Sequence, residues 1–427
     1  MKRLLLIFAL YLMTASAAWA DFESASETFQ QGDYEAAFKE YLSIAGDGHT
    51  LGQFNVGIMY EQGLGVEQNK ALAANWYRRA AEKGNADAQN NLGGLLRLGE
   101  GVAQDYAEAA LWFGRAAVQG HAIGQKNYGD MLRKGQGVKK DRKEAAKWYR
   151  LSAEQGAAWG QLSLGRVYEK GQGVEVNYEE AAKWYRKAAG QKLPLAQNNL
   201  GTLYRKGKGV PQRYKIALSW YRKAARQHHA LAQKNLGDMY RKGLGAAKNY
   251  KKALKNYQDS ADQGEPWGQL SLGRMYAQGK GVERDYEAAL SWYRAAAKQG
   301  LAPAQSLLGF MYRAGHGVAK DDAVAARWLR AAAEQGHAWS QFSLGAMYEK
   351  GLGVGKDDAK AAEWYLAAAE QDEAWGQYGI GRMYERGAGV DPNPDEALEW
   401  YRKAAAQGHE PAEEALLRLG QPATTTQ

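Results

Sequence analysis

Aromatic and arginine side chains recur together at a spacing that places them on one face of a helix. Trp159 precedes Arg166 by seven residues, and Trp267 precedes Arg274 by the same distance. At about 100° per residue, positions seven apart lie on the same side of a helix. An indole beside a guanidinium suits binding, because the ring stacks on apolar or sugar faces while the cation pairs with carboxylates. The equivalent positions nearer the C-terminus hold Trp339, Phe342, Trp375, Tyr378 and Arg382.

These side chains predict a surface that binds an extended peptide or a glycan. The alternative is that the four tryptophans pack against a neighbouring helix or cover a gap between helices. On the same helical projection Leu162 and Glu169 share the face of Trp159, whereas Leu164 and Tyr168 point into the core.

Residues suited to catalysis or to metal binding show no comparable pattern. The chain has no Cys, which excludes a thiol nucleophile, a disulfide framework and cysteine-ligated zinc. The Gly-x-Gly motifs lack the Gly-Lys-Ser/Thr of a phosphate loop. Five of the seven histidines lie 72 or 108 residues apart, too far to share a metal, and we interpret them as structural: His49, His121, His229, His337 and His409. We therefore predict a protein that is not an enzyme and has neither a cofactor nor a metal.

The elements that carry these side chains repeat along the chain. A glycine returns every 36 residues at ten positions, and a Gly-x-Gly such as Gly171–Gly173 follows each copy. A fixed period of this length indicates a solenoid or a propeller. The repeating glycines are Gly57, Gly93, Gly129, Gly165, Gly201, Gly237, Gly273, Gly309, Gly345 and Gly381.

Each repeat is predicted to form two helices. In the fourth repeat the first helix, helix A, spans 159–170, and the second, helix B, spans about 178–189, with Gly171 and Gly173 between them. Strand patterns are absent, so a propeller is not expected. A tryptophan recurs in helix B, and we interpret it as a core aromatic of the repeat. Asn256 replaces it in the sixth repeat, where the loss of a buried ring predicts a weak joint over residues 240–265. A glutamine recurs in every helix A, which predicts a structural hydrogen bond at Gln53, Gln89, Gln125, Gln161, Gln197, Gln233, Gln269, Gln305, Gln341 and Gln377.

The repeat resembles that of the Sel1-like repeat family, which is related to tetratricopeptide repeats. The motif in the fourth repeat is Gln161–Gly165, Tyr168, Gly171–Val174 and Ala181–Tyr185. The resemblance implies an all-α, right-handed α/α solenoid that scaffolds protein complexes and is often found in bacterial envelopes. It also implies that the A helices line a concave surface. Penicillin binding is described for cysteine-rich members, and this chain has no Cys.

A longer period of 108 residues lies over the first. The segment Trp159–Arg166 returns as Trp267–Arg274, and Gln125–Met131 returns with one change as Gln233–Met239. Duplication of a block of three repeats explains this period most simply. A binding surface on that block is therefore expected twice.

Both ends depart from the repeat. Lys2 and Arg3, an apolar run and the sequence Ala18-Trp19-Ala20 are typical of a secretory signal peptide. We predict a signal peptide at 1–20 cleaved after Ala20, an N-terminal capping helix pair at 21–49, ten repeats at 50–409, and a C-terminal capping helix and polar tail at 410–427. The expected location is the periplasm, or outside the cell.

The leading functional prediction is a periplasmic adaptor that holds a protein or peptide on its concave face. The alternatives are an envelope protein that binds peptidoglycan or an acidic exopolysaccharide, and a secreted factor that interacts with a host. The formal charge of +9 fits an acidic partner or a solvated surface without a specific partner. No nucleic-acid partner and no integral membrane span are expected.

Overall fold

The computed structural model describes residues 20–421, and the regular structure of this range is entirely helical. Helix α1 covers residues 20–30. The predicted signal peptide, except Ala20, and the last six residues of the predicted polar tail lie outside the described residues. The other helices are α2 Tyr34–Gly46, α3 Thr50–Gln62, α4 Lys70–Glu82, α5 Ala86–Leu98, α6 Tyr106–Val118, α7 Ala122–Lys134, α8 Arg142–Glu154, α9 Ala158–Lys170, α10 Tyr178–Gly190, α11 Pro194–Lys206, α12 Tyr214–Ala225, α13 Ala230–Lys242, α14 Tyr250–Ala261, α15 Pro266–Gln278, α16 Tyr286–Lys298, α17 Ala302–Ala314, α18 Asp322–Ala333, α19 Ala338–Lys350, α20 Asp358–Ala369, α21 Ala374–Arg386, α22 Pro394–Ala405 and α23 Glu410–Arg418.

The chain forms two compact units that divide between Arg213 and Tyr214. The first unit contains α1 to α11 and the second contains α12 to α23. Within each unit, consecutive helices pack as pairs, and successive A helices also contact one another, as α7 and α9 do in the first unit and α13 and α15 in the second. The all-α repeat solenoid predicted from the sequence is confirmed.

Polar caps and glycines set the ends of the helices. Asn177 begins α10, where its side-chain oxygen accepts a hydrogen bond from the Glu180 backbone N–H at 3.0 Å. Gly171 ends α9 in the left-handed conformation, with φ of 64°. Five histidines begin A helices or α23, and in each the ring Nδ1 accepts a bond from the backbone three residues later: His49, His121, His229, His337 and His409. Their predicted structural role is confirmed as helix capping.

The second glycine of each Gly-x-Gly lies directly against the preceding repeat. A Cβ added to Gly173 would lie 2.1 Å from the carbonyl oxygen of Arg142, the first residue of α8. The repeating glycine of helix A is required for a similar reason, since a Cβ on Gly165 would lie 2.6 Å from the Tyr185 ring. Close approach between backbones and rings therefore requires glycine at both landmarks.

The buried aromatic of helix B is the residue after the repeating tryptophan. Tyr185 is fully buried, and Tyr257 occupies the same position in the sixth repeat. Most of the repeating tryptophans are only half-buried, with Trp112 and Trp184 the buried exceptions. The interpretation of the tryptophans as core aromatics therefore holds fully for Trp112 and Trp184 only. In several other repeats the tryptophan packs against the edge of the core, as Trp148 and Trp364 do, because the helix turns the adjacent position inward.

This correction bears on the predicted weak joint. Asn256 is half-buried, and its side-chain amide donates to the Lys252 carbonyl at 2.8 Å. The sixth repeat thus keeps its central ring, Tyr257, and the side-chain amide of Asn256 has a hydrogen-bond acceptor. The weak joint over residues 240–265 stays a prediction, with a smaller expected loss of stability.

The repeating glutamines form a buried ladder. The Gln341 side chain donates to the Ala333 carbonyl at 3.2 Å and accepts from the Gln371 amide at 2.6 Å. The same arrangement recurs at Gln125, which bonds the Ala117 carbonyl and accepts from Gln155. Both bonds also form at Gln89, Gln161, Gln305 and Gln377, so these glutamines tie helix A to the preceding and following B helices and confirm the predicted structural bond. Gln53 bonds the preceding helix only, and its side-chain oxygen has no hydrogen-bond partner within residues 20–421.

Candidate functional site on the A helices

The four additional tryptophans lie on the solvent side of their A helices. Each is the second residue of its helix, and the exposed fractions are 54% for Trp159, 42% for Trp267, 45% for Trp339 and 42% for Trp375. Arg166 and Arg274 are also exposed. We call the exposed side of the A helices, marked by these residues, the A-helix face.

One member of the predicted face lies elsewhere. Leu162 is 2% exposed and therefore belongs to the core, contrary to the helical projection. Glu169 is half-buried and accepts a hydrogen bond from the Tyr185 hydroxyl at 2.6 Å. The projection gives the direction of a side chain but not the position of the neighbouring helix that covers it.

Aromatic side chains form a continuous cluster on the A-helix face of the second unit. Ring centroids are 5.3 Å apart for Trp339 and Phe342, and 5.7 Å apart for Phe342 and Trp375. Trp375 then meets His409 at 4.4 Å, and Tyr378 meets His409 at 5.0 Å. We call Trp339, Phe342, Trp375, Tyr378 and His409 the aromatic ladder. It provides a rigid apolar surface of the kind that anchors protein interfaces.

Arg382 borders the aromatic ladder but is held within the protein. Its guanidinium forms an ion pair with Glu349 on the preceding A helix and lies 5.7 Å from the centre of the Tyr378 ring. The Tyr365 hydroxyl donates to the same Glu349 carboxylate at 2.7 Å. The predicted side chain is therefore present at the site, with much of its charge balanced by Glu349.

The duplicated block forms the same charged network in each unit. In the first unit Lys126 lies 2.9 Å from Asp130, which accepts a hydrogen bond from the Tyr149 hydroxyl at 2.6 Å. Burial opposes ionisation of Asp130, but Lys126, Tyr149 and Arg133 outweigh that effect and hold the pKa of the carboxyl below its usual value. Lys126 also lies 6.0 Å from the centre of the Trp159 ring.

In the second unit the corresponding residues repeat this geometry. Lys234 lies 2.9 Å from Asp238, which accepts from the Tyr257 hydroxyl at 2.7 Å, and Lys234 is 5.8 Å from the centre of the Trp267 ring. Each unit therefore presents an exposed tryptophan beside a fixed network of opposite charges.

The ten helical pairs correspond to ten matches to one family model, that of the Sel1 repeat. The matched residues are 50–85, 86–121, 122–156, 160–192, 194–229, 230–265, 268–301, 302–337, 340–373 and 376–409. The chain belongs to the Sel1 repeat family. Sel1 repeats form scaffolds suited to protein–protein interaction and are generally not enzymes.

Solved structures of other Sel1 repeat proteins resemble this chain. One is c5321, a protective antigen of uropathogenic Escherichia coli strains, with 37% identity, a TM-score of 0.66, and coverage of 91% of this chain and 84% of that protein. Another, from Oxalobacter formigenes, has 34% identity, a TM-score of 0.54, and coverage of 74% of this chain and 93% of its own. No curated protein sequence matches the chain.

Within residues 20–421, no helix has both the length and the apolar character needed to cross a membrane. The same part of the chain contains no group of three or more His, Asp or Glu side chains that would hold a metal ion.

The Sel1 repeat pattern did not reveal two features of the site. The sequence indicates only a structural role for His409, because its place in the aromatic ladder depends on contacts with two residues of the preceding A helix. The bonds from core tyrosines to acids on the A helices were also missed. Their signal was available, since Tyr149 follows Asp130 by 19 residues and Tyr257 follows Asp238 by the same number.

Proposed function

We propose that this protein is a non-enzymatic scaffold that binds a protein or peptide segment on its A-helix face, the concave face that the family resemblance implies. The observation that carries the proposal is the aromatic ladder, in which Trp339 and Trp375 stay exposed while their ring neighbours fix their orientation. Rigid aromatic side chains lose little entropy on binding and dominate the energetics of interfaces.

A protein partner is favoured over a glycan by the composition of this surface. The ladder consists of aromatic rings, and the two arginines near it are paired with acids, Arg382 with Glu349 and Arg418 with Glu385. Sugars require many hydrogen-bond donors and acceptors placed around a ring, whereas an apolar surface with a polar border is typical of protein interfaces.

We further propose that the protein is exported to the periplasm or beyond it, with cleavage after Ala20. The basic start, the apolar run and the small-x-small sequence of residues 1–20 support this location. The similar c5321 is a protective antigen, and protection by an antigen is consistent with access of antibodies to it.

Crosslinking in living cells tests the proposal. A photoreactive amino acid at Trp375 is expected to capture a specific protein, and the same amino acid at Glu363, which is exposed on helix B of the preceding pair, is expected not to capture it. Combining the probe with Trp339→Ala should reduce the yield. Equal capture from both positions, or capture of glycan alone from Trp375, would contradict the proposal.

A further inference from the structure

A cleft on the A-helix face of the second unit concentrates positive charge beside an exposed tryptophan. It lies between α13 and α15 and has a volume of about 290 Å³. Its charged and aromatic lining consists of Lys234, Asp238, Arg241, Trp267 and Arg274, with Ser271 and Gln278 at its border. This volume of about 290 Å³ lies just below the roughly 300–1,000 Å³ typical of ligand pockets. The cleft therefore suits one or two side chains of a longer segment.

The charges in this cleft are unbalanced. Asp238 is the one acid of the lining, and it is already engaged by the Tyr257 hydroxyl at 2.7 Å, Lys234 at 2.9 Å and Arg241 at 3.8 Å. Arg274 forms no ion pair with a carboxylate of residues 20–421. The lining therefore has three cations and one anion, and its three cations offer hydrogen-bond donors to an incoming group.

The duplicated block provides a natural comparison. In the first unit Glu169 accepts from the Tyr185 hydroxyl at 2.6 Å, close to Arg166. In the second unit Ala277 stands where Glu169 is, so Tyr293, the counterpart of Tyr185, has no acid at this position. In the first unit a cleft of about 30 Å³ lies beside Asp130, Arg133 and Arg166, and a separate cleft of about 340 Å³ lies beside Lys126 and Trp159. One substitution between the copies thus removes an acid that lies near the arginine of the first copy.

We propose that the cleft between α13 and α15 binds a carboxylate of an acidic peptide segment, with Arg241 and Arg274 as donors and Trp267 covering the apolar stem of that residue. The inference rests on the proposed function and names the chemistry of the segment. A carboxylate only accepts hydrogen bonds, which matches a lining whose three cations donate and whose one acid is already engaged. Sugar hydroxyls also require acceptors, and Asp238 is already occupied.

Fluorescence anisotropy with defined peptides tests this inference on the full chain. The probe is a fluorescein-labelled peptide that alternates glutamate and leucine, compared with the same peptide carrying glutamine instead of glutamate. We expect the glutamate peptide to bind at least about tenfold more tightly, since charge-assisted bonds are roughly twice as strong as neutral ones.

Two variants locate the binding in this cleft. Arg274→Gln and Ala277→Glu, which restores the acid of the first copy, should each weaken binding of the glutamate peptide about tenfold. The matched change Arg327→Gln, at an exposed residue on the B helix α18, should alter it less than about threefold. Circular dichroism of each variant checks that the helices are retained.

Equal affinity for the two peptides, or no effect of either Arg274→Gln or Ala277→Glu, would overturn the inference. The inference would also be overturned if inorganic phosphate or an oligoglucuronate displaced the labelled peptide at a lower concentration of anionic groups than the unlabelled glutamate peptide does. The cleft would then prefer another anion. If the peptide test fails while Trp375 still captures a protein in cells, the proposed function stands without this inference. Failure of both experiments would remove the proposed function as well.

Discussion

The indole of Trp375 meets the imidazole of His409 edge-on, with ring centroids 4.4 Å apart and an angle of 87° between the planes. His409 is also the cap of the last helix, where its Nδ1 accepts from the Ala412 backbone N–H at 3.2 Å. An imidazole that accepts at Nδ1 and lies among aromatic rings is neutral. The aromatic ladder and the C-terminal cap therefore depend on the same uncharged side chain.

The first prediction is a loss of stability in mild acid. Burial lowers the pKa of four capping histidines, His49, His229, His337 and His409. The unfolded chain then binds more protons below about pH 6.5, so the free energy of unfolding decreases as the pH falls through that value. Urea denaturation at pH 7.5 and at pH 5.5 should show the decrease.

His409→Asn is the control for this pH dependence. Asparagine caps helices without titrating in this range. The variant should therefore show a smaller difference in unfolding free energy between the two pH values than the parent chain. An identical difference in both proteins would assign the acid sensitivity to other groups.

The second prediction separates binding from folding at the tryptophans. Replacing Trp339 and Trp375 with Ala should weaken partner binding by about 2 kcal/mol or more, because exposed aromatic anchors dominate interfaces. The melting temperature should change little. Trp184→Ala, at a position that is 7% exposed, should instead cost roughly 3–5 kcal/mol in folding. A large loss of stability in the double variant with binding intact would show that these tryptophans are structural.

The third prediction concerns the two kinds of glycine with positive φ. Gly173 and Gly156 have φ of 86° and 91°, but only Gly173 lies against backbone, since a Cβ on Gly156 would meet nothing within 4 Å. Both alanine variants should lose about 1–2 kcal/mol from the left-handed backbone. Gly173→Ala should lose at least about 2 kcal/mol more from overlap with Arg142. Similar unfolding free energies for the two variants would contradict the close approach.

The fourth prediction is a gain of stability at His228. This residue has φ of 58° in a turn where most repeats have glycine. His228→Gly should stabilise the chain by about 1 kcal/mol, because the left-handed strain is removed. Thermal unfolding provides the measurement, and a lower melting temperature would indicate that the side chain contributes contacts that outweigh the strain.

The period of 36 residues was sufficient to predict the helices and the face that carries Trp159 and Trp375. The period could not predict how deeply each side chain is buried, because a helical projection ignores the neighbouring helix. The projection puts Leu162 on the exposed side although it is buried, and the pattern does not separate the half-buried tryptophans from fully buried residues such as Tyr185. Contacts across repeats, such as Trp375 with His409, depend on the stacking of helices and are not visible in one repeat.

Hydrogen exchange of the full chain, measured with and without the partner protein that crosslinking identifies, tests the central claim most directly. We expect slower exchange at exposed backbone amides in the first turns of the A helices Ala338–Lys350 and Ala374–Arg386, with little change in the B helix Asp358–Ala369 between them. Protection confined to Asp358–Ala369 and the other B helices would contradict the proposal that the A-helix face binds the partner.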